Sequence, residues 1–349
     1  MKTQKRSIEL LAPARNADIA IEAIKHGADA VYIGASSYGA RSSATNSLDE
    51  IVRAVEYAHR FDCRVYCTVN TIVYDSELKA VESLIKELYR RDVDALIVQD
   101  MGILRMDIPP IALHASTQCD TRDAAKARFL EDVGFSQIVL ARELTLNEIR
   151  EISNCVTVPL EAFVHGALCV SYSGDCQASF VVNGRSSNRG ECAQMCRLPY
   201  ELLDENGRRI PVKRGAHLLS LKDMNRSQHV KDMIEAGISS FKIEGRLKDA
   251  SYVKNVVGAY RRVIDGFIAT APDRYRRSSI GFSSMSFTPN LLKSFNRDYT
   301  DYFLVNREAS GEMASIESPK SVGTEVGTVI EQRGLRFKIK QLAELHNGD

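Results

Sequence analysis

Short apolar runs alternate with amphipathic stretches along most of this chain. Runs at residues 9–13, 30–34, 64–69, 95–99, 111–115, 137–141, 160–164 and 241–244 read as strands. The helical period predicts helices over 16–26, 47–60, 76–90, 122–133, 145–152, about 227–236 and 251–268. Gly27 stops the first helix. Ser47 with Glu50, and Thr145 with Glu148, have the spacing of a capping box, in which a hydroxyl and a carboxylate satisfy each other's free backbone N–H groups. Eight strands alternating with helices predict an α/β protein, a TIM-type (β/α)8 barrel over residues 1–270. A doubly wound open sheet is the rival. The turn after the first strand, Ala14-Arg15-Asn16, has no glycine-rich dinucleotide fingerprint, which counts against it.

The rhythm breaks at residues 166–221, which read as a Cys-rich insertion after the seventh strand. Within it, Asp204-Glu205-Asn206-Gly207 between 200–203 and 209–212 is a hairpin signal. Residues 217–221 (HLLSL) make a ninth strand candidate for eight places and are assigned to the insertion. Residues 271–320 read as a linker and connecting segment, opening on a polar stretch. From 321 to 349 the pattern becomes alternating β, at 328–331 and 336–341, and stops on a turn signal at 346–349. That segment is expected to be the beginning of a small C-terminal β-barrel, cut short.

Composition narrows the function. Of 349 residues, 44% are hydrophobic and 26% charged, which excludes global disorder. Lys plus Arg is 46 against 45 for Asp plus Glu, a formal charge of +1, which excludes a histone-like nucleic-acid binder. A local basic surface remains open: Arg185, Arg189, Arg197, Arg208, Arg209, Lys213 and Arg214, extended by Arg261, Arg262, Arg274, Arg276 and Arg277. No apolar run reaches the membrane-spanning length, and residues 1–11 lack a secretory pattern, so a cytoplasmic protein with no membrane partner is expected. Nothing in the pattern sets the oligomeric state.

In such a compartment eight cysteines point to thiols or metal ligands rather than disulfides. Cys169, Cys176, Cys192 and Cys196 follow C-x6-C-x15-C-x3-C, with Gly166, Gly174, Gly184 and Gly190 interleaved. Four thiolates suit a tetrahedral zinc or an iron–sulfur cluster, and the irregular spacing leans toward the cluster. Four reduced thiols in a loop-rich segment are the plainer alternative. Cys63, Cys67 and Cys155 read as packing residues, while Cys119 follows the fifth strand, at the end where barrel sites form.

The stretch from Glu161-Ala-Phe163-Val-His165-Gly166 through Cys169, Ser171, Gly174 and Cys176 to Ser179 resembles the signature of the collagenase-like peptidase family U32. So do the opening Glu9-Leu-Leu-Ala-Pro13, Gly27 to Tyr32, Arg142-Glu143-Leu144, Asn188-Arg-Gly190, and Lys242-Ile-Glu244-Gly-Arg246. The resemblance covers about residues 7–310. It implies either collagen degradation, from which the family is named, or RNA hydroxylation: 5-hydroxyuridine in tRNA or 5-hydroxycytidine in 23S rRNA, with a prephenate-type carboxylate as cosubstrate. Relatives in ubiquinone hydroxylation carry a four-iron, four-sulfur cluster on four cysteines. Carried over, those ligands are Cys169, Cys176, Cys192 and Cys196, the last being the least fixed position.

The residues themselves favour redox chemistry over hydrolysis. A peptidase needs a nucleophile with its base, or a metal-activated water, and neither Gly-x-Ser-x-Gly nor His-Glu-x-x-His occurs. Glu161 and His165 stand four apart on one strand and are expected to point the same way, into the barrel mouth. With His114 and Arg142 they form the candidate catalytic set. Arg41, Gln118, Lys242, Glu244 and Arg246 are candidates for holding the cosubstrate, since arginine forks onto carboxylates. The wider strand-end set includes Asn70, Asp100 and Glu143. A non-catalytic scaffold with a structural zinc site is the third possibility.

Overall fold

The computed structural model describes residues 5–35, 38–39, 46–308 and 313–342. The first seven strands are β1 (Arg6–Ala14), β2 (Ala30–Gly34), β3 (Arg64–Val69), β4 (Ala95–Val98), β5 (Ala112–Ala115), β6 (Gln137–Val139) and β7 (Leu160–Ala167). Each pairs in parallel with the next. A short β8 (Asp223–Asn225) runs antiparallel to β7 outside the ring, and β9 (Ile238–Ile243) closes the barrel by pairing in parallel with both β7 and β1. The result is a closed TIM-type barrel of eight parallel strands.

Helices α1 (Ala17–Lys25), α2 (Leu48–His59), α3 (Leu78–Tyr89), α4 (Ala124–Asp132) and α5 (Leu146–Ser153) follow β1, β2, β3, β5 and β6. After β4 there is only a 3-10 turn, Met101–Arg105. Beyond β7 come a short α6 (Ala178–Asn183), then α7 (Val230–Glu235) before β9 and the long α8 (Ala250–Thr270) after it. The strands read as unbroken apolar runs because both faces are buried. Ile8, Leu10, Val31, Ile33, Val65 and Cys67 face the helices, while Leu11, Ala30, Tyr32, Tyr66, Ala95 and Ile97 fill the interior.

The Thr145–Glu148 capping box forms in full at the start of α5. At α2 only half of it does: Ser47 Oγ accepts from the Glu50 N–H, but the Glu50 carboxylate turns away to the Ala17 N–H at 3.1 Å. The side chain read as a local cap therefore ties α2 to the start of α1.

At the N-terminal end of the barrel, the fully buried Asp29 accepts from Leu10 N–H, Arg261 Nη1, Arg277 Nε and Ser279 Oγ at 2.6–2.8 Å. This corrects the reading of the segment after α8 as a polar linker. It contains β10 (Tyr275–Arg277), paired in parallel with Arg6–Ile8 of β1, and its polar side chains face a buried carboxylate. Residues 217–221 form no strand beyond a single bridge from Leu221 to Ala314. The extra strand is instead β8, which pairs with β11 (Tyr299–Thr300). Asp204–Gly207 does turn a small hairpin, with a Leu203–Arg209 bridge. Near the C-terminus, β12 (Gly327–Arg333) and β13 (Arg336–Gln341) form an antiparallel hairpin, turned at Gly334 with φ +61°. The turn expected at 346–349 lies outside the described residues. Among the described residues no helix is long and apolar enough to cross a membrane.

Candidate active site at the mouth of the barrel

Inside the barrel the inward positions of β1, β3, β5, β6, β7 and β9 carry polar side chains. Glu161, fully buried, accepts from Lys242 Nζ and from Gln137 Nε2, each at 2.6 Å. The Lys242 ammonium stands 4.6 Å from the Tyr32 ring centroid and 5.3 Å from that of Phe163. Below it, Glu9 accepts from Tyr66 Oη at 2.6 Å and Ser240 Oγ at 2.7 Å. Burial pushes the Glu9 carboxyl up to about 7 despite those two donors, and the Glu161 charge adds to the rise. His114 packs edge-on to Tyr66 at 4.6 Å, and its buried Nδ1 has no partner. Burial, then the charges of Lys242 and Arg64, bring its pKa down to about 3, so it is held neutral. The sequence reading missed Glu9 and Tyr66. Their signal is a polar residue at an inward position of an otherwise apolar strand.

Above this layer lies the mouth, at the C-terminal ends of the strands. Arg142 pairs with Glu244 at 2.8 Å and stacks 4.0 Å from the Phe163 ring. Arg246, buried, donates to Thr68 Oγ1 at 2.6 Å. Asn70 Nδ2 donates to Ser116 Oγ and to Gln118 Oε1. Lys248, another residue the sequence reading passed over, sits 3.1 Å from the Phe295 ring centroid, and burial lowers its pKa to about 8. Arg142, Glu244, Arg246 and Gln118 thus meet at the mouth, with Glu161, Lys242 and His114 beneath them. Arg41 lies outside the described residues. Asp100 caps the turn after β4 and Glu143 accepts from the Ser173 N–H, so both are engaged structurally.

The segment following β7 folds over this same end. Gly174 adopts φ +80°, and a Cβ there would stand 2.2 Å from the carbonyl oxygen of Gln118, so only glycine permits the approach. Asn188 Nδ2 holds Gly174 O at 3.0 Å, Ser187 Oγ holds Cys176 O at 2.7 Å, and Asn188 O accepts from Ile72 N–H in the loop after β3. These contacts set the cysteines beside the loops after β3, β5 and β6. Burial raises the Cys169 thiol, against a Ser171 N–H and the Arg142 charge, with Cys176 and Cys192 raising it further. Burial also raises Cys196; Arg197 opposes it and the other three thiols add to it. Gln194 N–H donates to Cys192 Sγ at 3.4 Å. Cys169 and Cys196 therefore lie within the field of their neighbouring cysteines. Among the described residues, however, no group of three or more His, Cys, Asp or Glu is gathered closely enough for a single metal ion.

One expectation fails. Glu161 and His165 do not face the same way. Phe163 aligns with Lys242 of β9, but His165 aligns with Ile243, so Val164 is an extra residue on β7. That bulge turns His165 outward, as Ile243 is, into a ring of tyrosines: Tyr252 and Tyr260 of α8 and Tyr299 of β11, with centroids 5.3–6.1 Å away. Its Nε2 is buried without a partner, and burial lowers its pKa to about 3. Next to it Arg226, 1% exposed, donates to the carbonyls of Phe163, Arg142 and Asp301, joining β7, the loop after β6 and the segment of β11.

The basic surface read from the sequence also breaks up. Arg261 and Arg277 are at the opposite end, on Asp29. Arg197 turns inward onto Ser220, Leu221 O and Leu168 O, and Arg189 forks onto Glu77. Arg209 and Lys213 pair with Glu201 and Glu317.

Residues 15–314 match the model of peptidase family U32. The chain belongs to that family. It is 50% identical, over all 349 residues, to a 23S rRNA 5-hydroxycytidine synthase of Escherichia coli, and covers 53% of that protein. A tRNA hydroxylation protein of Bacillus subtilis is 39% identical over 75% of the chain, which covers 64% of it. A collagenase of Porphyromonas gingivalis is 30% identical over 86% of the chain and is covered to 74%. The U32 chain thus spans only about half the length of the first of these relatives, and its matches include both an RNA hydroxylase and a collagenase.

Proposed function

We propose that this chain carries the barrel of an RNA pyrimidine hydroxylase acting on cytidine in 23S rRNA, with a four-iron, four-sulfur cluster held by Cys169, Cys176, Cys192 and Cys196. The observation that carries the reading is the seating of the cysteine segment on the mouth of the barrel: Gly174, two residues before Cys176, packs against the carbonyl of Gln118, at the end where Arg142 pairs with Glu244. The likeness to a 23S rRNA 5-hydroxycytidine synthase supports cytidine, and the tRNA hydroxylation relatives make tRNA the nearest other substrate.

The donor set suits the cluster. Four cysteine donors are a ligand set for such a cluster, and N–H groups of Ser171 and Gln194 directed at sulfur are among the contacts that tune such centres. When bound, the cluster supplies one-electron redox chemistry. The chain's own residues bind and orient. Arg142 and Arg246 offer forks for a prephenate-type carboxylate, which would take the place of Glu244 on Arg142. The Nδ2 of Asn70 holds the Gln118 side chain through its Oε1, leaving the Gln118 Nε2 as a donor for a pyrimidine edge. Lys242 and Glu161 hold a dry, charge-balanced floor beneath.

Mass spectrometry of rRNA and tRNA nucleosides from a deletion strain tests the reading. Loss of 5-hydroxycytidine, restored by the wild-type gene but not by Cys169→Ser or Cys176→Ser, is the expected result. Unchanged nucleosides would refute it. Protein purified without oxygen should be brown, with broad absorption near ~400 nm from iron–thiolate charge transfer. Colourless protein with stoichiometric zinc would assign the cysteines to a structural site. The collagenase relative supports a second reading as a peptidase. Gelatin cleavage that survives the cysteine changes and is lost in Glu161→Gln would favour it. Against it, among the described residues no histidine is hydrogen-bonded to a serine, threonine or cysteine that could serve as nucleophile.

A further inference from the structure

Two tyrosines on the rim of the mouth are each stacked on an arginine and yet exposed. Tyr74, in the loop after β3, has the Arg189 guanidinium 4.3 Å from its ring centroid and is 58% exposed. Tyr172, between Cys169 and Cys176, has Arg122 at 4.2 Å and is 49% exposed. A ring covered on one face that keeps about half its surface in water has its other face open. Both arginines are already paired with a carboxylate: Arg189 is forked onto both oxygens of Glu77 at 2.7 Å, and Arg122 Nη2 meets Asp120 at 2.7 Å. The carboxylates fix the guanidinium planes, and the guanidinium planes fix the rings. The two stacks belong to one rim, because Asn188, next to Arg189, holds the carbonyl of Gly174, two residues beyond Tyr172.

Rigid aromatic faces with their cations already neutralised suit a flat, uncharged π-surface rather than a phosphate backbone. We propose that Tyr74 and Tyr172 are stacking platforms for unpaired bases of an RNA strand, holding the nucleotides that flank the base presented to the mouth. Single-stranded RNA is recognised chiefly by stacking on such rings, and a pre-set ring loses little freedom on binding. The inference rests on the RNA reading above and assigns its strand-holding surface.

The test is fluorescence anisotropy of the full chain with a labelled pyrimidine-rich single-stranded RNA, and with the same sequence as a duplex. Tyr74→Ala and Tyr172→Ala are each expected to weaken single-strand binding about tenfold, since stacking contributes ~1–3 kcal/mol per base. Tyr74→Phe and Tyr172→Phe should bind as the wild type, because the ring is kept. The dependence of affinity on salt should be the same in all of them, because no phosphate contact is removed. Phe129→Ala, an equally exposed aromatic on α4, should bind normally. Alanine variants that match the wild type, or that lose duplex binding to the same extent, would overturn the platforms and leave the RNA reading intact. A chain that binds neither RNA, or that binds a collagen peptide through these tyrosines instead, would overturn both.

Discussion

Glu161 and Lys242 show how much depends on single charges inside this barrel. Each is nearly sealed from water, so removing one leaves the other as an uncompensated buried charge. Glu161→Gln and Lys242→Met should each lower stability by about 3–5 kcal/mol in denaturant unfolding, and the double variant should lose less than the two singles summed. Titration gives an independent check. Folded Glu9 stays protonated to about pH 7 but ionises near 4.5 when unfolded, so its stabilising contribution is full below 4.5 and fades as pH rises to 7. His114 and His165 act in the opposite sense: neutral to about pH 3 when folded, they take up protons near 6.5 when unfolded, so their contribution is full above 6.5 and is lost below it. Two histidines against one carboxylate leave these groups a net loss of about 1.4 kcal/mol per pH unit on acidifying from 6.5 to 4.5. Glu9→Gln removes the opposing contribution, and its stability should fall about twice as steeply over that range. Glu161, Lys242 and His114 were legible in the sequence as polar residues in or at the ends of apolar strands. His165 was misread because alternation assumes an unbroken register.

The elements that organise the mouth are its irregular ones. Val164 decides which way His165 faces, and a bulge leaves no trace in residue type. Gly174 is the complementary case: its φ and the 2.2 Å clearance make it replaceable by nothing, and the sequence marks it only as one of several glycines among cysteines. Gly174→Ala should cost about 1–3 kcal/mol and lift the cysteine segment off the loop after β5. Thiol titration should then show Cys169 and Cys176 reacting faster than in the wild type. The short strands β8, β10 and β11 escaped the sequence reading for a related reason. Their two or three residues, polar but for Met224, pair on the outside of a finished barrel and are too few to show an apolar period.

Across the whole molecule, the barrel was legible because eight strands buried on both faces must appear as eight apolar runs. The β12–β13 hairpin stands apart from that core, with Val329, Ile330, Leu335 and Phe337 all more than half exposed. Deleting the hairpin, residues 326–342, should therefore move the barrel's Tm by no more than about 2 °C in calorimetry, since hardly any buried area is lost. The closure of the barrel sets a condition on how it is made. Glu9 of β1 meets Ser240 of β9 across 231 residues of chain, and Asp29 waits still longer for Arg277 and Ser279. At ~5–20 residues per second a ribosome needs about 10–50 s to supply β9 after β1 has emerged. For that interval the first strand presents an unpaired, apolar edge to the cell, so the nascent chain is open to aggregation until its last barrel strand arrives.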